Sequence, residues 1–329
     1  MKLFWKEILV CAVMGLAVPG VMLEMARMAE KQKPQAKLPE ASAEIQSMET
    51  EPTKPVMKMT LLLADGTRRE MDMDDYLVGV LLAEMPADFE SEALKAQSVA
   101  ARTYTQKTCL ETGKHDGSVC TDFACCQAYI AQEDYLARGG TEAGIEKIRE
   151  AVEATSGLVL TYGGELIEAT YFSCSGGSTE DAAAVWGADY PYLRAVSSPG
   201  EEGAEFYEDT VTFSPEEFNS ALGTELTGDP ASWIGGATET PGGGVDEIHI
   251  GGKTYQGKDL RKLLGLRSTV FTMSGNENGV TVTTRGFGHR VGMSQYGADA
   301  MAASGSTYEE ILAHYYQGAV LEKYDKSIA

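Results

Sequence analysis

The stretch Asp74-Asp75-Tyr76-Leu77-Val78-Gly79-Val80-Leu81-Leu82-Ala83-Glu84-Met85-Pro86 decides how this chain is read. Tyr76, Leu77, Val80 and Leu81 recur at i, i+3, i+4 spacing, the period of a helix that buries one face. Asp74 stands where a cap is wanted, and Pro86 ends the run because its ring excludes helical backbone beyond it. Ser91 caps a second helix, from Glu92 to about Thr108, rich in Ala, Leu, Lys and Gln. Upstream, Met59 to Leu63 alternates loosely and Asp65-Gly66 is a hairpin signal, so a strand pair is expected up to about Met73.

Further along, Thr141 to Ala154 reads as a helix. Leu158 to Tyr162 and Glu165 to Tyr171 read as a hairpin around Gly163-Gly164. Ser214-Pro215-Glu216-Glu217 is a capping box with Pro at the first helical position. Gly235 to Gly244 reads as a flexible connection, and Ile248 to Tyr255 as a strand pair turning at Gly251-Gly252. Val270 to Met273 and Val280 to Thr284 read as strands, and Tyr308 to Tyr316 as a closing helix. Helices and strands intermix without a βαβ period, so the expected class is α+β. The expected form is one mixed main region, 59–329, with an inserted or second smaller lobe.

The chain has 329 residues and a formal net charge of −22. Such acidity excludes a nucleic-acid partner, which needs a basic footprint. Its 36 Gly and 11 Pro follow no fixed period, which excludes collagen-like and repeat architectures. Six Cys are too few for a disulfide scaffold.

At the N-terminus, Lys2 and Lys6 precede an apolar run of 16 residues, Ile8 to Leu23. As a helix it spans roughly 24 Å, short of the hydrocarbon core at about 30 Å. It reads as an anchor or as a signal-peptide core. Ala17-Val18-Pro19 is a poor cleavage site, which favours an uncleaved anchor over residues 1–23. The leading lysines put the N-terminus in the cytoplasm and the rest outside, so a single-pass membrane protein with an extracytoplasmic domain is expected. Residues 24–58 hold six acids, six bases and Pro34, Pro39, Pro52 and Pro55, and read as a disordered tether. Residues 1–23 net +1 and the tether nets zero, which leaves −22 − 1 = −23 on 59–329.

Glu84 sits among apolar neighbours just before the proline. Burial there would disfavour its charged form and raise its pKa, and a carboxyl poised near neutrality can donate a proton to a leaving group. The plainer reading is a solvated Glu at a helix end. His249 and His314 read as structural.

Several blocks together resemble the stage II sporulation protein D family. They are Tyr76 to Pro86, Glu92 to Tyr104, Ser173-Cys174-Ser175-Gly176-Gly177, Val185-Trp186-Gly187, Leu264 to Thr269, and Gly286-Phe287-Gly288-His289 with Val291 to Ala298. The order holds from about residue 59 to 321. The resemblance implies a membrane-anchored lytic transglycosylase that cleaves peptidoglycan glycan strands during endospore engulfment, with Glu84 as the acid/base. It implies as partners the glycan, the stage II sporulation amidase P and membrane protein M. Substrate-facing candidates are Gln97, Arg102, Tyr104, Tyr171, Ser173, Ser175, Gly176, Gly177, Trp186, His289, Ser294, Gln295 and Tyr296. One departure stands out: the family's usual Gly after the histidine is Arg290 here. Related domains have been described as enhancers of wall amidases, so a non-catalytic role is the alternative.

His115, Cys120, Cys125 and Cys126 fall within twelve residues as H-x4-C-x4-C-C. Thiolate and imidazole suit tetrahedral zinc, and the resemblance implies a zinc site in this loop. A disulfide from Cys120 to Cys125 or Cys126 is the alternative, and Cys174 could replace one ligand.

Overall fold

A computed structural model describes residues 57–205 and 207–324. The expected anchor, and the tether up to residue 56, lie outside the described residues. Lys58, read as the tether's end, already opens the first strand. Among the described residues, no helix is long and apolar enough to cross a membrane.

Strands β1 (Lys58–Leu62) and β2 (Arg68–Asp72) pair antiparallel about the Asp65-Gly66 turn. Helix α1 (Met73–Glu84) follows, with Tyr76 to Leu82 all buried. Asp74 is not its cap: it lies in the first turn and binds the side chain of Arg102. Helix α2 (Ser91–Tyr104) runs on through a π-helical turn, Thr105–Leu110, so the apolar period extends past the α-helix proper. Strand β3 (Ser118–Cys120) then returns parallel to β1. Helices α3 (Gln132–Ala137) and α4 (Glu142–Ala154) follow, and the Thr141 hydroxyl caps α4 by accepting the Gly144 N–H at 3.0 Å.

Strands β4 (Leu158–Tyr162) and β5 (Glu165–Leu166) form the expected hairpin, but the second arm breaks after Leu166. Ile167 and Ala169 turn into the core, and β6 (Tyr171–Phe172) leaves to pair in parallel with β13 (Met293–Ser294). That break carries Tyr171 to Ser173 toward Glu84. A short helix α5 (Ala182–Trp186) follows.

Residues 208–285 then build a second, smaller core. It holds β7 (Glu208–Phe213), α6 (Pro215–Leu222), β8 (Ile234–Glu239), β9 (Val245–Ile250), β10 (Lys253–Gln256), α7 (Gly257–Leu263), β11 (Val270–Asn276) and β12 (Gly279–Arg285). Its sheets run β10-β9-β8 and β11-β12-β7 and enclose Phe218, Trp233, Ile248, Leu260, Phe271 and Val282. The capping box at Ser214 and Glu217 is formed. The expected flexible connection at Gly235 is instead strand β8. A Cβ on Gly235 would stand 3.0 Å from that of His249 on β9, so this glycine permits close approach of strands and is no hinge.

The chain then returns to the main core with β13, α8 (Gln295–Ala303), α9 (Tyr308–Tyr315) and β14 (Val320–Lys323) beside β4. Helix α2 is central: it packs on α1, α4, α8, α9 and β4. The class is α+β, with a smaller apolar core inserted between two stretches of the larger one.

Candidate active site and metal centre

Glu84 is the last residue of α1, where Pro86 stops the helix and leaves the carboxyl beside a cleft of about 390 Å³. Its Oε1 accepts the Ala128 N–H at 3.1 Å, and its Oε2 faces Gln295 Nε2 at 3.5 Å. Burial pushes its pKa up, and these two donors offset that only in part. Among the described residues lining the cleft it is the one carboxylate. Behind it the wall is fixed: Tyr171 donates to Gln127 Oε1 at 2.7 Å, and Gln127 Nε2 donates to Thr105 at 2.7 Å.

His289 also lines the cleft, its ring between those of Trp186 (5.4 Å) and Phe172 (5.6 Å). Burial and the charge of Arg261 push its pKa down to about 4, so the imidazole is neutral at neutral pH. The Val291 N–H donates to its Nδ1 at 3.2 Å, which assigns the ring proton to Nε2. It is therefore a hydrogen-bond donor and no second acid.

The rim is aromatic. Phe123 is 81%, Trp186 44% and Phe287 41% exposed, and all three line this cleft. Exposed aromatic faces grouped around one concavity suit stacking on a flat apolar ligand face. Trp186 was expected there; Phe123 and Phe287 were not. Phe287 stands inside the Gly286 to His289 block, and Phe123 between two candidate metal ligands, so position within a motif was their available signal.

Of the substrate-facing candidates, Tyr104, Tyr171, Ser173, Trp186 and His289 line the cleft, and Gln295 touches Glu84. Gln97 and Arg102 do not reach it: they are 0% and 1% exposed. The guanidinium of Arg102 donates to Asp74 Oδ1 at 2.9 Å and to the Thr155 carbonyl at 2.8 Å, so it joins α1 to the end of α4. Helical spacing from Pro86 cannot tell which face of α2 points inward. Tyr296 packs edge-on against Phe89, away from the cleft lining.

Ser175 and Ser294 are likewise buried, and both hydroxyls donate to Glu201, at 2.8 and 2.6 Å. Glu201 also accepts the N–H groups of Ser175 (2.7 Å) and Gly176 (3.0 Å), so one buried carboxylate holds the Ser173–Gly177 loop to the start of α8. Sequence reasoning missed Glu201, which stands in no recognisable motif. Gly176 has φ +75, and a Cβ there would meet the Arg285 backbone at 2.8 Å; the close approach is to the protein's own chain. Gly177, in the same loop, donates its N–H to Ser175 Oγ at 3.0 Å.

Arg290 explains the departure at the usual glycine. Its φ is +66, left-handed backbone that favours Gly. Its buried side chain offsets that strain by donating to the carbonyls of Ser175 (2.9 Å) and Ser178 (2.7 Å), facing Glu180 at 3.7 Å and reaching the Gly242 carbonyl of the smaller lobe. His249 meets Thr254, and His314 the Ser197 carbonyl, both away from the cleft.

The ligand atoms of His115, Cys120, Cys125 and Cys126 all lie within 4.8 Å of one another, with His115 Nε2 to Cys125 Sγ at 3.3 Å. Tetrahedral zinc needs ligand atoms about 3.3–3.8 Å apart, so this donor set fits with small adjustment. His115 reaches the cluster from left-handed backbone (φ 49), which Arg68 supports through the His115 carbonyl and Ser118. No disulfide joins the described cysteines. Cys174 lies with Glu201 instead, 3.2 Å from its Oε2. Phe123, Cys126 and the Ala128 N–H belong to one segment, so the loop carrying three of the four ligands also shapes the cleft and holds Glu84.

Fold and site together define a two-core α+β protein with one half-buried carboxyl at an aromatic cleft, braced by a Cys/His loop. The family profile "Stage II sporulation protein" matches residues 66–162. The chain is 39% identical over 312 residues to stage II sporulation protein D of Bacillus subtilis (strain 168), covering 93% of this chain and 88% of that one. It is 38% identical to stage II sporulation protein D of Bacillus amyloliquefaciens, covering 85% and 83%. It is also 31% identical over 308 residues to a Bacillus subtilis protein named amidase enhancer, covering 75% of this chain and 40% of that one. The chain belongs to the stage II sporulation protein D family, a family involved in sporulation.

Proposed function

We propose that this protein is a lytic transglycosylase that cleaves the MurNAc–GlcNAc bonds of peptide-free peptidoglycan strands during engulfment. The observation that carries the reading is a lone carboxyl, half-buried and raised in pKa, in an aromatic-rimmed cleft. Most glycoside hydrolases pair two carboxylates, one of them for water or for a covalent intermediate. One suffices when the sugar supplies its own nucleophile. Glu84 donates its proton to the glycosidic oxygen as the bond to C1 breaks. The resulting carboxylate takes the proton of the muramic 6-hydroxyl, whose oxygen bonds to C1 and closes a 1,6-anhydro ring. Glu84 ends protonated, and no water is consumed. Intramolecular attack supplies the entropy advantage of a bound nucleophile.

His115, Cys120, Cys125 and Cys126 would hold zinc, which supplies a closed structural cross-link and no open coordination position. Cross-linking fixes the segment from which Ala128 orients Glu84. Membrane attachment through residues 1–23, an extracytoplasmic domain, and action beside amidase P and membrane protein M belong to the same proposal.

The second reading is a non-catalytic enhancer or recruiter of a wall amidase, favoured by the relative named amidase enhancer. Digestion of peptide-free wall separates the two. Products lighter by one water than reducing-end fragments support cleavage by this chain; stimulation of an amidase that survives Glu84→Gln supports the enhancer.

A further inference from the structure

His289 has a second face besides the one it turns to the cleft. That residue also walls a second cavity of about 60 Å³, between α5 and the smaller lobe. This space is too small for a sugar ring and adequate for a carboxylate-sized group. Lys258 and Arg261 line it from α7, one turn apart on the same helix. Two acids line it as well. Glu180 is engaged, by Arg290 at 3.7 Å and the Gly242 N–H at 3.0 Å, and Asp246 is exposed on β9.

Arg261 is the unusual member. Its Nε donates only to the Leu266 carbonyl, at a long 3.4 Å, and among the described residues it forms no ion pair with a carboxylate. Burial pulls its pKa down with no acid opposing the effect. A half-buried guanidinium pays a desolvation cost that a carboxylate normally offsets. Among the described residues that partner is missing, in a strongly acidic chain where carboxylates are abundant. The planar guanidinium matches a carboxylate in two-point geometry, and it lines a cavity that shares the His289 wall with the glycan cleft.

We propose that Arg261, with Lys258 beside it, forms a carboxylate-binding subsite next to the glycan cleft, across His289 from it. The inference rests on the glycan reading of that cleft. The carboxylate has two sources: the lactyl ether of a peptide-free muramic acid, or the stem peptide of a substituted one. N-acetylglucosamine oligomers carry neither and serve as the uncharged reference.

The test measures binding by the full-length chain in a Glu84→Gln background, so that ligands persist. The probes are peptide-free strands, peptide-bearing strands and uncharged N-acetylglucosamine oligomers. Arg261→Gln is expected to weaken a carboxylate-bearing probe about tenfold, 1.4 kcal/mol, and to leave the uncharged oligomers within about twofold. Arg261→Lys recovers part of the loss, and Lys258→Gln, at an exposed position, costs about two- to threefold. Both effects shrink at high salt. Loss confined to peptide-free strands identifies the lactyl carboxylate; loss confined to peptide-bearing strands identifies the stem peptide. Equal loss on charged and uncharged probes, or none on any, overturns the subsite and leaves the cleft reading standing. Failure of the parent protein to bind any of the three overturns both.

Discussion

Exchange of Glu84 for Gln removes the proton and the charge while keeping the shape. The amide oxygen still accepts the Ala128 N–H, so the loop that shapes the cleft keeps its tie to α1. Among the described residues no other carboxylate lines the cleft, and His289, pushed down to about 4, is neutral and cannot stand in as the acid at neutral pH. Acid and base roles are therefore lost together. General acid–base contributions run about 10²–10⁴-fold, so the expected loss lies at the upper end, about 4–5 kcal/mol of barrier. The assay is release of anhydro-ended fragments from peptide-free strands, read by mass, with thermal melts alongside. Burial raises the folded-state pKa of Glu84 above its unfolded value. The proton is thus held more tightly in the fold, a stability contribution present at acid pH and lost as pH rises through the raised pKa. The variant should accordingly melt no lower than wild type at pH 7 to 8, and any advantage should fade in acid. Wild-type activity should fall as pH rises past the same pKa, because the acid must start protonated. A folded Glu84→Gln protein that releases anhydro ends at the wild-type rate would refute the reasoning.

Other expectations are direct. Gln295→Ala removes a donor that holds the Glu84 pKa down, so the alkaline limb of the activity profile should move to higher pH with about a tenfold or smaller loss of rate; an unmoved limb counts against that contact. Trp186→Ala should raise KM about tenfold and spare kcat if its exposed ring stacks on sugar, whereas a pure kcat effect would place it elsewhere. Arg102→Ala should cost about 2–4 kcal/mol in denaturant unfolding by emptying a buried volume and unpairing the Thr155 carbonyl, while part-exposed Asp74 keeps the Ser156 hydroxyl, with glycan affinity of the folded protein unchanged. Metal analysis should find one zinc per chain, and Cys126→Ser or a chelator should lower the melting temperature and the activity together; a metal-free protein of full activity would end the zinc proposal.

Much of the fold is legible along the chain because its signals are local. The period from Tyr76 to Leu81, the stop at Pro86, the capping box at Ser214 and the hairpin at Gly163-Gly164 each depend on neighbours within a few residues. The apolar surroundings of Glu84 and the Cys/His spacing were visible in the same way. What folding alone decides is which face of an element meets which partner. Gln97 and Arg102 stand on a helix next to the site, yet the packing of α2 on five neighbours turns both into the core. Ser175 and Ser294 look like substrate contacts until Glu201, far from either motif in the chain, claims both hydroxyls. Phe123 and Phe287 become one aromatic rim, and Arg261 comes to line the cavity on the other side of His289, only when β6 pairs with β13 and the smaller lobe closes through Arg290. Local periodicity records whether a residue is helical and apolar. The direction a side chain finally points is set by long-range packing, which no window of sequence contains.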